Sequence, residues 1–339
     1  MTNNDEVLHQ VLSHFQDVSH AFGYGSGVVR QAGYKTGEKP MMDFIFAVSD
    51  VSTWHRRNRE KNPSHYATIP RFLLNSDGGS KIVEAVQNMG AGIYYNTEIP
   101  IEGNIVKYGV ISTDKLCQDL IEWDTLYVSG RMQKPVVTVQ SNPRVVEVNA
   151  INLASALRSS LLLLPEAFSE EELYTKITSL SYAGDIRMRF AENPQKITNI
   201  VRTNMDRFRD LYHPIITSQF HRHLMRDHQQ FKQDKSPDVR LMHMTHLPEG
   251  LRYHMTKTRE QKQQRQTFEM ILKQKTETSA VSNGLASIVK SSSTTQTAKG
   301  EWEMKPPCQI LYRSLHCWSN KVHTIRCSQD NQGDEMIME

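Results

Sequence analysis

A glycine-serine turn precedes a carboxylate that lies in an apolar run near the N-terminus. Tyr24, Gly25, Ser26 and Gly27 are consecutive, and Asp43 follows sixteen residues after Gly27. Glycines allow backbone N–H groups to approach phosphate oxygens, the serine hydroxyl adds a donor, and a helix N-terminus after the turn favours an anion. A carboxylate on a neighbouring strand could hold Mg²⁺ against the same phosphates. The pattern is therefore typical of a phosphate-binding turn beside a magnesium site.

The spacing of this turn and carboxylate is that of the nucleotidyltransferase fold, in which a strand, a Gly-Ser turn and a helix precede a strand that carries the metal ligand. That fold usually has a second carboxylate two residues away, but Met41 and Ile45 occupy these positions. Glycine turns are common, and an Asp on a strand is often an ordinary hydrogen-bonded polar group. By spacing alone, this ordinary interpretation is favoured.

Apolar patterning predicts the elements that position these residues. Met42–Val48 is predicted to be a buried strand, and 92–95 and 105–111 are predicted to be two more, joined through a turn at Glu102-Gly103-Asn104. A further strand is predicted over 135–139, with helices over 52–61, 81–88 and 113–122. The sequence therefore predicts an α+β fold, whose first domain extends over residues 1–148.

Helical patterns dominate after residue 150. Ser169 and Glu172 form a predicted capping box that starts a helix over 170–180, and helices are predicted over 199–212 and 217–231. We therefore expect a second, helical domain over 149–255. The remaining 256–339 is expected to be a linker and a C-terminal segment, with a solvated helix or linker over 256–278 and a polar loop over Ser291–Thr297.

The C-terminal segment contains an amphipathic pattern. At helical spacing one face collects six apolar residues, and most of the cationic residues lie outside it; the apolar residues are Ile310, Leu311, Leu315, Trp318, Val322 and Ile325. Such a helix could lie in the surface of an anionic membrane, with Trp318 at headgroup depth. It could equally pack on the rest of the protein, and the pattern does not decide between these.

Composition limits the class of partner and the compartment. The 339 residues have a formal net charge of +3, which is too small to indicate nucleic acid but is compatible with phosphorylated ligands. Four cysteines without a CxxC pair indicate a reducing compartment, and no apolar run reaches the roughly 20 residues of a membrane span. The first twenty residues contain acids and no Arg, unlike a transit peptide, so composition alone indicates the cytosol.

Ordered blocks along most of the chain resemble the mitochondrial phosphatidate cytidylyltransferase (CDP-diacylglycerol synthase) family of the translocator assembly and maintenance type. These blocks are YGSGVVRQAG, MMDFIFAV, TWHRRN, KNPSHY, GAGIYYN, KYGVIS, LYVSGRMQKPV, LPEAFSEEELY, LSYAGDIRM, ENPQKITNIV and GLASIVKSSSTTQTAKG. The resemblance implies a nucleotidyltransferase domain, a winged-helix-like second domain and a C-terminal membrane-associating helix. It also implies that Gly25, Ser26 and Gly27 bind the phosphates of CTP and that Asp43 binds Mg²⁺.

Other residues in these blocks are candidates for the same site. Lys107, Arg131 and Lys134 stand beside predicted strand ends and could neutralise the phosphate charge of CTP or phosphatidate, although ordinary surface charge is the alternative. Gln31 could hydrogen-bond the nucleotide or cap a turn. Asp185 could supply a further carboxylate and Arg187 a phosphate clamp, or the two could form an ion pair that stabilises their loop.

A basic stretch around TWHRRN and KNPSHY could contact a lipid headgroup or a substrate phosphate. It holds Arg56, Arg57 and Arg59 between His55 and His65. For either histidine alone, a hydrogen-bonded structural role is the better expectation.

The activity that the resemblance implies is the formation of CDP-diacylglycerol and pyrophosphate from CTP and phosphatidate, which feeds phosphatidylglycerol and cardiolipin synthesis. It also implies a peripheral protein on the matrix side of the mitochondrial inner membrane, held at the anionic surface by its C-terminal helix. One alternative is a non-catalytic assembly factor for inner-membrane protein translocation, which the missing second carboxylate favours. Another retains the fold but transfers the nucleotide to a protein hydroxyl or a small molecule.

Overall fold

The computed structural model describes residues 3–29, 40–66, 69, 76–185, 195–227 and 230–304. Gln31, Arg187 and the predicted amphipathic helix after residue 305 lie outside the described residues. The predictions for them are therefore carried forward without a structural description.

The N-terminal part of the described chain is a mixed sheet covered by helices. Its strands are β1 (His20–Tyr24), β2 (Met42–Val48), β3 (Ile93–Ile101), β4 (Asn104–Ser112) and β5 (Val137–Gln140). Its helices are α1 (Asn3–Ser13), α2 (Val51–Lys61), α3 (Asp77–Asn88), α4 (Thr113–Glu122) and the short α5 (Ser129–Met132), with a 3₁₀ turn at Pro63–Tyr66. The strands are ordered β3-β4-β2-β1-β5, and only the β2–β4 pair is parallel.

Strand β2 is apolar on both faces because each face of the sheet is covered. Phe44 and Phe46 pack with Tyr108 and the N-terminal helix on one face, while Ile45 and Ala47 pack on the other. The predicted strand MDFIFAV is thereby confirmed, and only Asp43 interrupts its apolar pattern. A carboxylate is thus placed at the beginning of a buried central strand.

The turn between β3 and β4 has the chemistry that the sequence predicts. Glu102 and Gly103 both adopt positive φ, at 49° and 69°, as the two central residues of a tight hairpin turn do. The two strands pair in antiparallel register up to Ile101 and Asn104. This hairpin fixes the position of Lys107 on β4.

The second part of the described chain is mainly helical and confirms the α+β class. Its helices are α6 (Pro143–Leu163), α7 (Glu170–Leu180), α8 (Lys196–Thr203), α9 (Met205–Ile215), α10 (Pro237–Thr245), α11 (Glu249–Thr256), α12 (Gln261–Lys273) and α13 (Glu277–Met304). A small antiparallel sheet of β6 (Ala167–Ser169), β7 (Leu224–Asp227) and β8 (Gln230–Gln233) has β8 in the middle. The predicted capping box is confirmed, since Ser169 Oγ accepts from the Glu172 N–H and Glu172 Oε2 accepts from the Ser169 N–H.

Three predictions for this part are wrong. The helix predicted over 217–231 is a π turn at Ile216–Phe220 followed by a hairpin, because Leu224 and Phe231 are buried on strands beside exposed neighbours and Phe231 packs on Phe168. The stretch 256–278 is not simply solvated, because Phe268 and Ile271 of α12 are buried in the second core.

The third wrong prediction is the polar loop over Ser291–Thr297, which is part of the long helix α13. Its hydroxyl groups bond to the carbonyl oxygens of the preceding turn, as Ser292 Oγ does to Val289 O at 3.2 Å and Thr294 Oγ1 to Lys290 O at 2.8 Å. Satisfied in this way, Ser292 and Ser293 can be buried within the fold. A polar composition therefore did not indicate an exposed segment.

Helix α13 connects the second core to the first sheet. Val281, Leu285 and Ile288 are buried in the second core. Further along, the buried Lys299 Nζ donates to the carbonyl oxygens of Met89 and Ile93, at the start of β3. The helix thus contacts both predicted domains. The domain boundaries themselves stay a prediction.

Helix α6 runs across the predicted boundary at residue 148. Val145 packs in a core of the first sheet, whereas Leu153 and the residues after it belong to the second core. Within the described part of the chain, no helix is both long enough and apolar enough to cross a bilayer.

Candidate active site

Strand register brings three of the predicted residues side by side. Tyr24 on β1 pairs with Asp43 on β2, and Asp43 pairs with Lys107 on β4. Side chains at paired positions project from the same face of a sheet. Lys107 Nζ also lies 4.7 Å from the centre of the Tyr95 ring, on that face. A phenol, a carboxylate and an ammonium group therefore form a row across three adjacent strands.

The glycine turn after β1 lies directly beside the carboxylate. Gly25 has φ +75°, and a Cβ atom there would stand 3.0 Å from Asp43 Oδ2. A Cβ atom on Gly27 would overlap the carbonyl oxygen of Met41. The Val29 N–H donates to Gly25 O at 2.8 Å, which closes one helical turn. Gly25 is thus required by its positive φ beside the Asp43 carboxylate, and Gly27 by the close passage of the Met41 backbone. Their contact with phosphate stays a prediction.

A cavity of about 260 Å³ opens at this point and is lined from both parts of the chain. Seven predicted residues contribute to it: Tyr24, Gly25, Ser26, Asp43, Arg131, Lys134 and Asp185. Lys107 and Gly27 are adjacent to it through Asp43 and the turn. The fold therefore brings the candidate phosphate turn, two carboxylates and several cations together.

Arg131 is held rigidly against two aromatic rings. Its guanidinium carbon lies 3.9 Å from the centre of the Tyr127 ring and 5.1 Å from that of Tyr24, and Nη1 donates to Tyr127 O. An Arg side chain stays protonated at any physiological pH. Burial raises the pKa of Tyr24 to about 12, so this phenol stays neutral and keeps its proton for hydrogen bonding. The pair presents a fixed positive charge and a hydroxyl to the cavity.

Lys134 is a buried cation between the two parts of the chain. Its Nζ donates to Gly130 O and, at 2.8 Å, to Ser181 Oγ, and it lies 5.2 Å from the centre of the Tyr182 ring. Burial, with smaller contributions from Arg131 and Lys196, lowers the pKa of Lys134 to about 7. An anionic ligand would favour the protonated form of this lysine.

Asp43 and Asp185 are the carboxylates that line the cavity within the described residues. Burial raises the pKa of Asp43, and this effect exceeds the opposing influence of Lys107, Arg131 and Lys196. A cation bound at the carboxylate would restore its charged form. No group of three or more His, Cys, Asp or Glu gathers for a metal among the described residues. Two carboxylates fit Mg²⁺, which usually combines one or two of them with substrate phosphates and water.

Sequence reasoning missed several lining residues from the second part of the chain. Ser181 and Tyr182 follow α7, Lys196 begins α8, and Ser292 and Ser293 come from α13. All of them lie in blocks that carry the family resemblance, so membership of a block was the available signal. Their residue types alone, three serines, one tyrosine and one lysine, did not distinguish them from surface residues.

The basic stretch around His55 lies outside this cavity. His55 is buried, with Nδ1 2.7 Å from Tyr66 Oη, and burial lowers its pKa to about 3. His65 Nδ1 lies 2.7 Å from Tyr108 Oη, on the opposite face of the sheet from Asp43. The expectation of structural histidines is therefore confirmed. Arg57 pairs with Asp17 instead of reaching the cavity, so the suggested contact with substrate phosphate there finds no support.

Comparison with known protein families identifies the family of this chain. A family model described as phosphatidate cytidylyltransferase, mitochondrial, matches residues 8–313. The chain belongs to this family. All cavity residues from Tyr24 to Ser293 fall inside the matched range.

Relatives that carry the same name occur in distant organisms. The phosphatidate cytidylyltransferase of Danio rerio is 43% identical over 310 residues, which is 88% of this chain and 90% of the relative. That of Xenopus laevis is 42% identical over 301 residues, covering 86% and 87%. That of Schizosaccharomyces pombe is 48% identical over 214 residues, covering 62% and 53%. The family resemblance read from the sequence blocks is thereby confirmed.

Proposed function

We propose that this chain is a phosphatidate cytidylyltransferase, which forms CDP-diacylglycerol and pyrophosphate from CTP and phosphatidate and so feeds phosphatidylglycerol and cardiolipin synthesis. The observation that carries the proposal is the cavity, in which a glycine-serine turn, two carboxylates and clustered cations converge in a member of this family. Asp185 also weakens the main argument for a non-catalytic assembly factor, because the carboxylate missing beside Asp43 can come from the second part of the chain.

The finer fold assignments belong to the same proposal. A turn after β1 beside a carboxylate at the start of β2 supports a nucleotidyltransferase fold for the first domain. Helices α7 to α9 followed by the β7–β8 hairpin, with β6 as its third strand, support a winged-helix-like second domain.

Different residues of the cavity would bind different parts of CTP. Backbone N–H groups and the hydroxyl of the Gly25-Ser26-Gly27 turn would hold the β- and γ-phosphates, which are the part that leaves. Arg131, fixed by its aromatic neighbours, would neutralise charge that develops on the triphosphate. Lys107 would favour the ionised form of Asp43, against the larger effect of burial, and add positive charge at the same strand end.

Asp43 and Asp185 would hold Mg²⁺. When bound, the ion supplies positive charge to phosphate oxygens during the transfer. These two carboxylates come from parts of the chain that are distant in sequence and line one cavity after folding, which supports the proposal.

The transfer is a single displacement at phosphorus. A phosphate oxygen of phosphatidate attacks the α-phosphorus of CTP, the bond from that phosphorus to the bridging oxygen breaks, and pyrophosphate leaves with the electron pair. The attacking oxygen is already anionic, so the chain needs no general base and forms no covalent intermediate. Positioning and charge neutralisation by the fixed cations are therefore its main contributions.

The proposed location is the mitochondrion, because the names of the relatives include the word mitochondrial. We place the chain on the matrix side of the inner membrane as a peripheral protein, in contact with the anionic surface through the segment after residue 305. An interfacial helix would let the acyl chains of the substrate stay in the bilayer while the headgroup enters the cavity.

The test is magnesium-dependent formation of CDP-diacylglycerol from radiolabelled CTP and phosphatidate liposomes. Asp43→Asn should lower kcat about 100-fold or more, because the carboxylate that holds the metal is lost. Asp206→Asn is the matched control, since Asp206 is highly exposed and pairs only with Arg209 among the residues described. A folded but inactive wild-type chain would instead support the assembly-factor function, and activity with another acceptor would indicate a different transferase.

A further inference from the structure

The cations of the cavity form two groups with different surroundings. Lys107 and Arg131 stand by the strand ends, next to Asp43 and the glycine turn. Lys134 and Lys196 instead lie close to one aromatic ring, with their Nζ atoms 5.2 and 5.7 Å from the centre of the Tyr182 ring. This second group is built largely from the second part of the chain, since Tyr182 follows α7 and Lys196 begins α8.

The second group is assembled as a receptor for negative charge. Two ammonium groups beside one ring repel each other, and Lys196 contributes, after burial and Arg131, to the lowered pKa of Lys134. Lys134 donates hydrogen bonds to two neutral oxygens, Gly130 O and Ser181 Oγ. Ser181 Oγ accepts a hydrogen bond from the Lys134 ammonium group and so can turn its own hydrogen toward a ligand oxygen.

Displacement geometry decides which phosphate this group receives. In a transfer at phosphorus the attacking and leaving oxygens stand roughly in line, on opposite sides of the phosphorus. The glycine turn and Arg131 lie beside Asp43 and Tyr24, at the strand ends, where the leaving pyrophosphate would be held. The attacking phosphate would then bind at the second group, by the loop after α7 and the start of α8.

We propose that Lys134 and Lys196, which both lie beside the Tyr182 ring, form together with Ser181 an acceptor subsite for the phosphomonoester group of the lipid substrate. This inference rests on the proposed function and assigns Lys196, which the sequence analysis did not single out. A phosphomonoester dianion is the ligand class, because it can accept charge-assisted hydrogen bonds from two cations at once.

The first experiment separates the two substrates kinetically. With wild-type chain and Lys196→Gln, CTP and phosphatidate in mixed micelles are varied independently. We expect KM for phosphatidate to rise about tenfold or more from the loss of one charged hydrogen-bond donor, while KM for CTP changes less than about twofold. Lys196→Arg should restore most of the phosphatidate affinity, because it restores the charge. A rise in KM for CTP alone, or equal rises for both substrates, would overturn the assignment.

The matched control is Lys290→Gln on α13. Lys290 is exposed and does not line the cavity, yet it lies two residues before Ser292, so the substitution removes the same charge from a neighbouring element. We expect both KM values to stay at their wild-type level. A phosphatidate effect of the same size as that of Lys196→Gln would show that general charge near the membrane, and not a subsite, determines affinity.

Direct binding measurements test the subsite without depending on the proposed activity. Short-chain soluble phosphatidate, inorganic phosphate and CTP are titrated calorimetrically into the wild-type chain and into Lys196→Gln. Weaker binding of the short-chain lipid with unchanged CTP binding supports the subsite even if no product forms. Equal binding of the lipid by both chains overturns it. Inorganic phosphate that binds as tightly as the lipid would show a site for free phosphate instead.

Discussion

At the scale of single residues, the buried lysine of the cavity makes substrate affinity depend on pH. Lys134 has a pKa lowered to about 7, mainly by burial, so in the free protein it loses its proton as the pH rises through that value. The protonated form binds anions, and a bound phosphate stabilises it. Affinity for phosphorylated substrate should therefore fall as the pH rises above about 7.

The corresponding prediction compares two pH profiles. For the wild-type chain, KM for phosphatidate should rise up to about tenfold per pH unit above pH 7, as the proton is lost. Lys134→Arg keeps its charge at every accessible pH, so its profile should be flatter, whatever its absolute activity. Profiles of equal steepness would show that another group controls the pH dependence.

The glycine turn allows a prediction with an internal control. Gly25→Ala must adopt φ +75° and places a Cβ atom 3.0 Å from Asp43 Oδ2. Gly103→Ala must adopt φ +69°, but no atom lies within 4 Å of its Cβ position. Both should lose about 1–2 kcal/mol of unfolding free energy from the left-handed backbone. Only Gly25→Ala should also lose activity, by about tenfold or more, since only its methyl group presses on the carboxylate.

Denaturant unfolding and the CTP-dependent assay measure these two effects separately. Equal activity in the two glycine variants would mean that catalysis tolerates a methyl group at position 25, next to Asp43. A much larger loss of stability in Gly25→Ala than in Gly103→Ala would show that the turn is chiefly structural.

At the scale of elements, the contact between α5 and the loop after α7 sets the shape of the cavity. A Cβ atom on Gly130 would overlap the side chain of Ser181, and that loop also carries Tyr182 and Asp185. An added methyl group must push the loop away from α5. The carboxylate from the second part of the chain would then move relative to Asp43.

Gly130→Ala should consequently lower kcat about tenfold or more and reduce the unfolding free energy by about 1–3 kcal/mol through overpacking. Gly284→Ala is the control, because its Cβ atom would meet side-chain atoms of Leu251 and Met255, at 2.8 and 3.2 Å, which do not line the described cavity, and alanine favours a helix interior. Activity should remain normal there. Wild-type kcat in Gly130→Ala would mean that the loop position tolerates this shift.

At the scale of the whole molecule, catalysis and membrane attachment should be separable. The described residues that line the cavity lie between Tyr24 and Ser293, whereas the proposed interfacial helix follows residue 305. Helix α13 joins the two, and its buried contacts reach as far as Lys299. A chain shortened after Met304 keeps all of these described contacts.

We predict that this shortened chain no longer floats with anionic liposomes but still converts a soluble short-chain phosphatidate. The physical reason is that the interfacial helix supplies membrane binding through buried apolar area and charge, while the cavity supplies the chemistry. Flotation and the soluble assay are measured on the same preparation. Undiminished flotation would show that another surface binds the membrane, and loss of soluble activity would show that the removed segment completes the cavity.

The sequence predicted those features whose determinants are local. Alternation and apolar runs indicated β2, β3 and β4, the capping pair at Ser169 and Glu172 indicated the start of α7, and the glycines at 25 and 27 indicated a turn that needs close backbone approach. Each of these depends on a few neighbouring residues and on steric or hydrogen-bonding rules that hold in any fold. The family resemblance added the reaction class.

Only the tertiary structure decided the features that depend on distant partners. Asp185 joins Asp43 in one cavity, Lys196 joins Lys134 at Tyr182, and the polar helix α13 is buried across both parts of the chain. No local rule could assign these, because the value of a buried charge or hydroxyl depends on which groups surround it after folding. The sequence by itself thus determined the glycine turn and the strand beside it, whereas the assembled fold determined which charges meet in the cavity.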